Sequence, residues 1–497
     1  MKLTSQQVNK ISKGDKEIAD YFSALLTQNQ QLTQLVEKQA AQIEKQTLQI
    51  EKLEKRVNDL ERQLGQNSNN SSKPPSSDGL RKQNNSRQSG GKKGAPTGHD
   101  GHTLRFSTSP DEIVVHSVST CKHCAQSLDG VAVQGYTKRQ LFDLPLPRLV
   151  VTEHRAEEKC CPACHTRQRA TFPDRVQAPV QYGEGFTAWT AYLNVYQLLP
   201  LDRISRLFFD LTGYQPSEAT LLAQIKTMAS VVADQEPSIR KHLLTQPLIH
   251  SDETPMRLNG KQQYLHTHSN ADWTLLAMHA RRCGPALVEM GVLPSYTGIV
   301  VHDCLNSYFK PEFKFTHVLC NAHLLRECQG IAEHDHHKWA SDMKQLLQRS
   351  WVLAKGARAA GIPLSDEVLT EIDLSFDAIL ALGKTEWAKD AVREKTGPRG
   401  RKCKSKAANL GQRFELHKAS ILRFLYDARV PFDNNQAERD IRMSKVKQKI
   451  SGCFRTATGG EQFASIRGFI STLLKQKLPL HASLVSALRG NFQFKTT

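Results

Sequence analysis

Apolar residues recur at heptad spacing from residue 22 to residue 64, with Phe22, Asn29, Val36, Ile43, Ile50, Val57 and Leu64 on one row and Leu25, Leu32, Gln39, Gln46, Leu53 and Leu60 on the next. That period predicts one long helix whose seam meets another helix. β-Branched residues on the first row with leucines on the second favour a parallel two-stranded coiled coil, while Asn29 fixes register at a cost in stability and Gln39 and Gln46 weaken the middle. Residues 65–105 lose all periodicity and are rich in Asn, Ser, Gly, Pro and Lys. Such a segment buries too little apolar surface to fold alone and reads as a linker, its basic residues either tracking phosphates or solvating a tether. A helical pattern returns at 187–228. There Leu201–Leu207, Thr212-Gly213-Tyr214 and Ser217–Leu221 fit a helix-turn-helix with a serine cap or a plain helical hairpin.

Strand-like runs take over near residue 247. The run 247–251 predicts a first strand, 262–268 and 273–279 predict a hairpin around Ser269-Asn270-Ala271-Asp272, 284–292 a short helix and 298–302 a buried strand. A further helix and a strand at 316–320 complete a β-β-β-α-β-α-β order, which is that of a ribonuclease H-like core.

Three carboxylates sit where such a core would do chemistry. Asp252 and Asp303 each follow an apolar run, and Glu438 lies in a helical-looking stretch far downstream, Asn434-Asn435-Gln436-Ala437-Glu438-Arg439. Either aspartate alone reads as a turn or cap residue; their shared context points to a site. Gathered at one point, such groups repel by roughly 4 kcal/mol per pair at about 4 Å and an effective dielectric near 20, which implies bound divalent cations and phosphodiester chemistry. Arg439 and Arg442 flank Glu438 as phosphate clamps or carboxylate partners.

Cysteines supply a second metal expectation. Cys121-Lys122-His123-Cys124 and Cys161-Pro162-Ala163-Cys164 are two C-x-x-C knuckles, which together complete a four-cysteine zinc site of the ribbon type, with Cys160 and His123 as competing ligands. Between them, Leu141–Leu144 and Arg148–Thr152 are strand-like and supply the ribbon. A redox pair is the other reading of the motif. The cysteines at 283, 304, 328, 403 and 453 are scattered and are expected to be reduced.

Charge adds a partner but no chemistry. The chain has 497 residues, a length for three or more modules, and a formal net charge of +18, a surface that attracts phosphate. It lacks an apolar run of membrane-spanning length and begins with a polar stretch, so a cytoplasmic protein is expected, associated with the nucleoid.

The Asn70-Ser71-Ser72-Lys73-Pro74-Pro75-Ser76-Ser77-Asp78 linker, the paired knuckles, Ser251-Asp252-Glu253-Thr254-Pro255, Cys320-Asn321-Ala322-His323 and Asp433-Asn434-Asn435-Gln436-Ala437-Glu438-Arg439 together resemble the transposases of the insertion sequence 66 family. The resemblance covers nearly the whole chain. It implies that Asp252, Asp303 and Glu438 are a DDE catalytic triad holding magnesium, that a helical insertion at 334–424 interrupts the core, and that Cys320 and His323 form a C-x-x-H signature near the site. A Cys and a His at that spacing also suit zinc. Also implied as partners are the terminal inverted repeats of the element, target DNA, and accessory proteins of the same element; the heptad predicts a homodimer or higher assembly.

The resulting expectation is a multidomain α/β protein: a ribonuclease H-like catalytic core with a helical insertion, preceded by a coiled coil, a zinc ribbon and a helical DNA-binding module. Its divisions are 1–64 for the N-terminal helix, 65–105 for the linker, 106–170 for the zinc module and 171–244 for the helical module. The core follows at 245–333 and 425–475 around the insertion at 334–424, with a tail at 476–497. Two other functions fit less well: a ribonuclease H-like nuclease or resolvase without strand transfer, and a zinc-ribbon regulator without catalysis. The regulator would place basic residues, not carboxylates, against phosphate.

Overall fold

The computed structural model describes residues 4–13, 15–71, 104–144, 147–390 and 404–495. Most of the linker and Cys403 lie outside the described residues. The chain divides into two compact units, one of Met1–Arg81, Gln246–Asp252 and Leu293–Glu438, the other of Lys82–Thr245, Glu253–Val292 and Arg439–Thr497.

After a short helix α1 (Ser5–Ile11), the heptad region is the single helix α2 (Lys16–Gly65). Asp15 caps it, its carboxylate accepting from the N–H groups of Glu17 and Ile18. Leu25, Leu32, Val36, Ile43, Ile50, Leu53, Val57 and Leu60 are exposed along it. A helix this long with an uncovered apolar seam gains little from propensity alone; its stability comes from packing. Near its end, Arg62 pairs with Asp335 at 2.7 Å and Asn70 Nδ2 donates to Glu333 Oε2 at 2.8 Å.

The knuckle region contributes one hairpin, β1 (Glu158–Cys160) with β2 (Arg167–Arg169), and an isolated bridge between Thr120 and Ser127. Leu141–Leu144 and Arg148–Thr152, expected as strands, are not strands, and Leu141, Leu144, Val150 and Val151 are exposed. Pairing is confined to residues flanking each knuckle, where a tight turn sets the register. Among the described residues the longer segment between them has no partner strand, and of its apolar side chains Leu149 packs against Phe186, Leu193 and Ile204.

Helices α3 (Glu184–Ala191), α4 (Leu201–Thr212), α5 (Glu218–Ala233) and α6 (Glu236–Thr245) follow. α4 stops at Gly213, whose φ of 79° is the left-handed C-terminal cap that glycine adopts freely. Ser217 caps α5 as expected, its hydroxyl accepting from Thr220 N–H at 3.1 Å.

The chain then forms β3 (Leu248–Leu258), β4 (Lys261–Ser269), β5 (Thr274–His279), α7 (Gly284–Glu289), β6 (Ile299–His302) and β7 (Thr316–Leu319). Strand β3 belongs half to each unit. In the first unit it pairs in parallel with β6, and β6 with β7; in the second, β4 and β5 form the antiparallel hairpin, giving the order β5-β4-β3-β6-β7. The link from β6 to β7 is a 3-10 turn at Asn306–Phe309, where a helix was expected. Pro311 closes off helix propagation, and the buried Tyr308 stacks on His302 instead.

Helices α8 (Asn321–His334), α9 (Lys338–Ala360), α10 (Asp366–Trp387), α11 (Lys406–Leu416) and α12 (Lys418–Tyr426) complete the first unit. Its core joins Ile299, Val301 and Val318 of the strands to Leu324, Trp339, Met343, Phe376, Phe414 and Phe424 of the helices. Helices α13 (Asn435–Ser451), α14 (Ala457–Lys475) and α15 (Leu480–Leu488) end the chain. In the second unit α14 supplies Phe463, Ile466 and Phe469 to a core shared with Ile225, Met228 and Val232 of α5. The segment expected as a tail is part of that core: Leu484 and Ala487 are buried and Phe492 and Phe494 pack against it.

Candidate functional site

Strand register aligns two of the three expected carboxylates, although Asp252, Asp303 and Glu438 are not a group whose oxygens all lie within 4.8 Å of one another among the described residues. The parallel ladder pairs Leu248 with Ile299, Ile249 with Val300 and His250 with Val301; two further steps match Asp252 to Asp303. The next ladder pairs Val301 with Val318 and His302 with Leu319, so one more step matches Asp303 to Cys320. By that count Asp252, in the middle of β3, lies in line with Asp303 and Cys320, which directly follow the carboxyl ends of β6 and β7, the edge at which open α/β sheets bind ligands. Neighbouring strands lie roughly 4.8 Å apart.

Asp303 leaves β6 through a tight turn. Its Oδ1 accepts from Leu305 N–H at 3.1 Å, Cys304 N–H donates to His302 Nδ1 at 3.2 Å, and Cys304 has a φ of 72°. A left-handed conformation in a residue with a side chain costs energy and marks an over-determined loop. Burial holds His302 well below the usual imidazole range and pushes the Cys304 thiol up to about 11.

Glu438 reaches the same edge because Asn434 anchors the start of α13. The buried Asn434 amide donates from Nδ2 to Ser251 O at 2.8 Å and its Oδ1 pairs with His250 Nδ1 at 2.8 Å, both in the first half of β3. Its backbone N–H donates to Cys320 Sγ at 3.2 Å, and Asn321 N–H donates to Phe432 O at 3.0 Å. Glu438 then sits in the first turn of the helix, its N–H donating back to Asn434 O at 3.2 Å. There the helix dipole favours a carboxylate.

Helix α8 faces Glu438 with Cys320, His323 and Arg326. His323 Nε2 lies 3.8 Å and Arg326 Nη2 3.6 Å from Glu438 Oε1. Among the described residues, Cys320, His323 and Glu438 are the group whose metal-binding atoms all lie within 4.8 Å of one another. Burial, then the nearby Arg326 and Arg413, lower His323 to about 3, and burial pushes Cys320 up to about 12. His323 is thus a neutral imidazole at any ordinary pH.

The knuckles share one geometry. Cys121 N–H donates to Gln126 O and Ala125 N–H to Cys121 O; Cys161 N–H donates to Thr166 O and His165 N–H to Cys161 O, all at 2.9 Å. Ala125 and His165 both have positive φ. Hydrogen bonding to Thr166 lowers Cys164 to about 7, toward the thiolate that binds metal. The thiols of Cys121, Cys124, Cys161 and Cys164 do not form a donor group like that at Glu438 among the described residues. Arg439 and Arg442 are exposed on α13.

Asn434 and Arg326 had no signal of their own in the sequence. Asn434 lies inside the motif read for Glu438, and Arg326 lies three residues beyond His323 on the same helical face. No helix of the described residues is long and apolar enough to cross a membrane. Residues 179–462, more than half of the 497-residue chain, match the family described as Transposase IS66 family. Residues 25–105 match a family of unknown function. No curated protein matches the chain.

Proposed function

The chain belongs to the transposase IS66 family, and from that premise we propose that it binds the ends of its element and cleaves and joins DNA strands at Asp252, Asp303 and Glu438. The observation that supports this most is the matched register of Asp252 on β3 and Asp303 just after β6, with the start of α13, and so Glu438, pinned to β3 through Asn434. The strand order β5-β4-β3-β6-β7, with two aspartates on its central pair, is what a ribonuclease H-like core requires.

Three carboxylates form an all-oxygen donor set, which suits magnesium. Asp252, Asp303 and Glu438 would hold a magnesium pair, which would supply activation of water or a DNA 3′-hydroxyl and stabilisation of the leaving oxygen. The chain's own groups prepare that site. Asn434 fixes where α13 begins, Arg326 pairs by charge with one oxygen of Glu438, and the Asp303 turn holds its carboxylate against the Leu305 amide. One site of this kind serves both nicking and strand transfer.

The same reading assigns recognition to other parts. The two knuckles of 106–170 bind structural zinc through Cys121, Cys124, Cys161 and Cys164, their twin backbone turns being the form such ligand pairs take. Helices α4 and α5 within 171–244 read element ends, and the exposed α2 seam pairs two chains so that two ends are held together. Net positive charge supports contact with phosphate and a place on the nucleoid.

The test uses duplexes carrying the element's terminal repeats, with magnesium. Wild-type protein should nick them and join them to a target, whereas Asp252→Ala, Asp303→Ala and Glu438→Ala should fall to background while still binding the ends. Cutting without joining would identify a nuclease. Binding without any metal-dependent cutting would identify a regulator.

A further inference from the structure

The donor set around Glu438 is softer than magnesium chemistry needs. Cys320 caps the N-terminus of α8 and His323 lies in its first turn, so the C-x-x-H spacing turns a thiol and an imidazole toward the same oxygen of Glu438. Zinc takes sulfur, nitrogen and oxygen ligands at about 2.0–2.3 Å, which sets donors roughly 3.3–3.8 Å apart in a tetrahedron. His323 Nε2 and Glu438 Oε1 are 3.8 Å apart and all three donors fall within 4.8 Å, so small side-chain rotations close the set. One further feature suits a ligand role: Asn434 N–H already donates to Cys320 Sγ, the bond that stabilises a metal-bound thiolate.

We propose that Cys320, His323 and Glu438 bind zinc, with water at the fourth position, and that zinc there withdraws Glu438 from magnesium. Binding converts the Cys320 thiol to a thiolate and releases its proton to solvent. Zinc is then an inhibitor of the magnesium-dependent reaction. This consequence rests on the role proposed for Glu438; the binding itself does not.

Full-length protein stripped of metal is titrated with cobalt(II), reading the thiolate-to-metal absorption and the bound equivalents. Cys320→Ser and His323→Gln should each bind one equivalent fewer than wild type, with the knuckle contribution unchanged. Asp252→Ala should keep the wild-type thiolate-to-cobalt absorption. Equal equivalents in wild type, Cys320→Ser and His323→Gln would overturn the proposal; His323→Gln alone decides if Cys320→Ser does not fold. With cleavage substrate present, zinc should inhibit wild type, and His323→Gln should need at least tenfold more zinc for the same inhibition. Equal inhibition of both would overturn the coupling. Loss of the cobalt equivalent in a protein that never cleaves DNA would leave the metal site standing and remove the catalytic reading instead.

Discussion

Replacing Gly330 with alanine gives a result whose sign depends on whether the end of the N-terminal helix is seated on α8. In the interior of a free helix, glycine to alanine stabilises by about 0.8–1.0 kcal/mol. Here a Cβ at residue 330 would lie 2.2 Å from the Asn70 carbonyl oxygen, where ordinary contact begins at 3.4 Å. The backbone oxygen cannot rotate away as a flexible side chain would, so the segment has to lift. Lifting breaks the Asn70–Glu333 hydrogen bond at 2.8 Å and strains the half-buried Arg62–Asp335 pair at 2.7 Å. Overpacking of this kind costs about 1–3 kcal/mol, more than the propensity gain. The assay is hydrogen exchange of the peptide spanning residues 62–71, whose Asn67 and Asn69 amides donate to side-chain oxygens at 2.8 Å. At about 1.4 kcal/mol per tenfold, Gly330→Ala should speed exchange there by roughly tenfold or more. Unchanged exchange with a raised melting temperature would refute the docking.

Further outcomes follow from other parts of the chain. Cys121→Ser or Cys161→Ser should lose about one zinc per chain and specific end binding, checked by metal analysis and gel shift, with magnesium-dependent chemistry at Asp252 left in place. Removing residues 1–64 should convert an assembled protein to a monomer by light scattering, and Asn29→Val should raise the stability of the assembly while loosening its stoichiometry. His266 and His268 are lowered to about 4 and about 3, in both cases mainly by burial, so the unfolded chain takes up protons below pH 6.5 that the folded strand β4 refuses. Stability should therefore fall with pH, by about 2 kcal/mol per histidine between pH 7 and pH 5, and His268→Gln should flatten that slope in denaturant titrations.

The strands were legible in the sequence because buried apolar runs with turn residues between them carry their own period: the runs expected at 247–251, 262–268, 273–279, 298–302 and 316–320 fall within one or two residues of β3 to β7, although β3 runs on to Leu258. The single helix α2 followed from its heptads for the same reason. Interactions that join distant segments left no local trace. Nothing in the spacing shows that Asn434 spans from β3 to Cys320, that Arg326 meets Glu438, or that Gly330 is small because Asn70 crosses it. The runs at 141–144 and 148–152 misled because apolar residues signal a strand only where a partner exists, and the turn at 306–309 did so because a few residues of helical pattern do not separate a single 3-10 turn from an α-helix. The segment expected as a tail at 476–497 holds a helix, and Leu480, Leu484 and Leu488 recur in it at helical spacing.

Metal-specific rescue tests the proposed site most directly, because it asks whether a given side chain touches the ion. Asp252→Cys and Asp303→Cys each replace a hard oxygen donor with sulfur at matched register positions, where magnesium binds poorly and manganese is better accepted. Strand cleavage and joining of terminal-repeat duplexes should be lost in magnesium for both variants and recovered in manganese, while the wild type works in either. Full activity of either variant in magnesium, or recovery of neither in manganese while both remain folded and bind the ends, would contradict the assignment of Asp252 and Asp303 as the metal-holding pair.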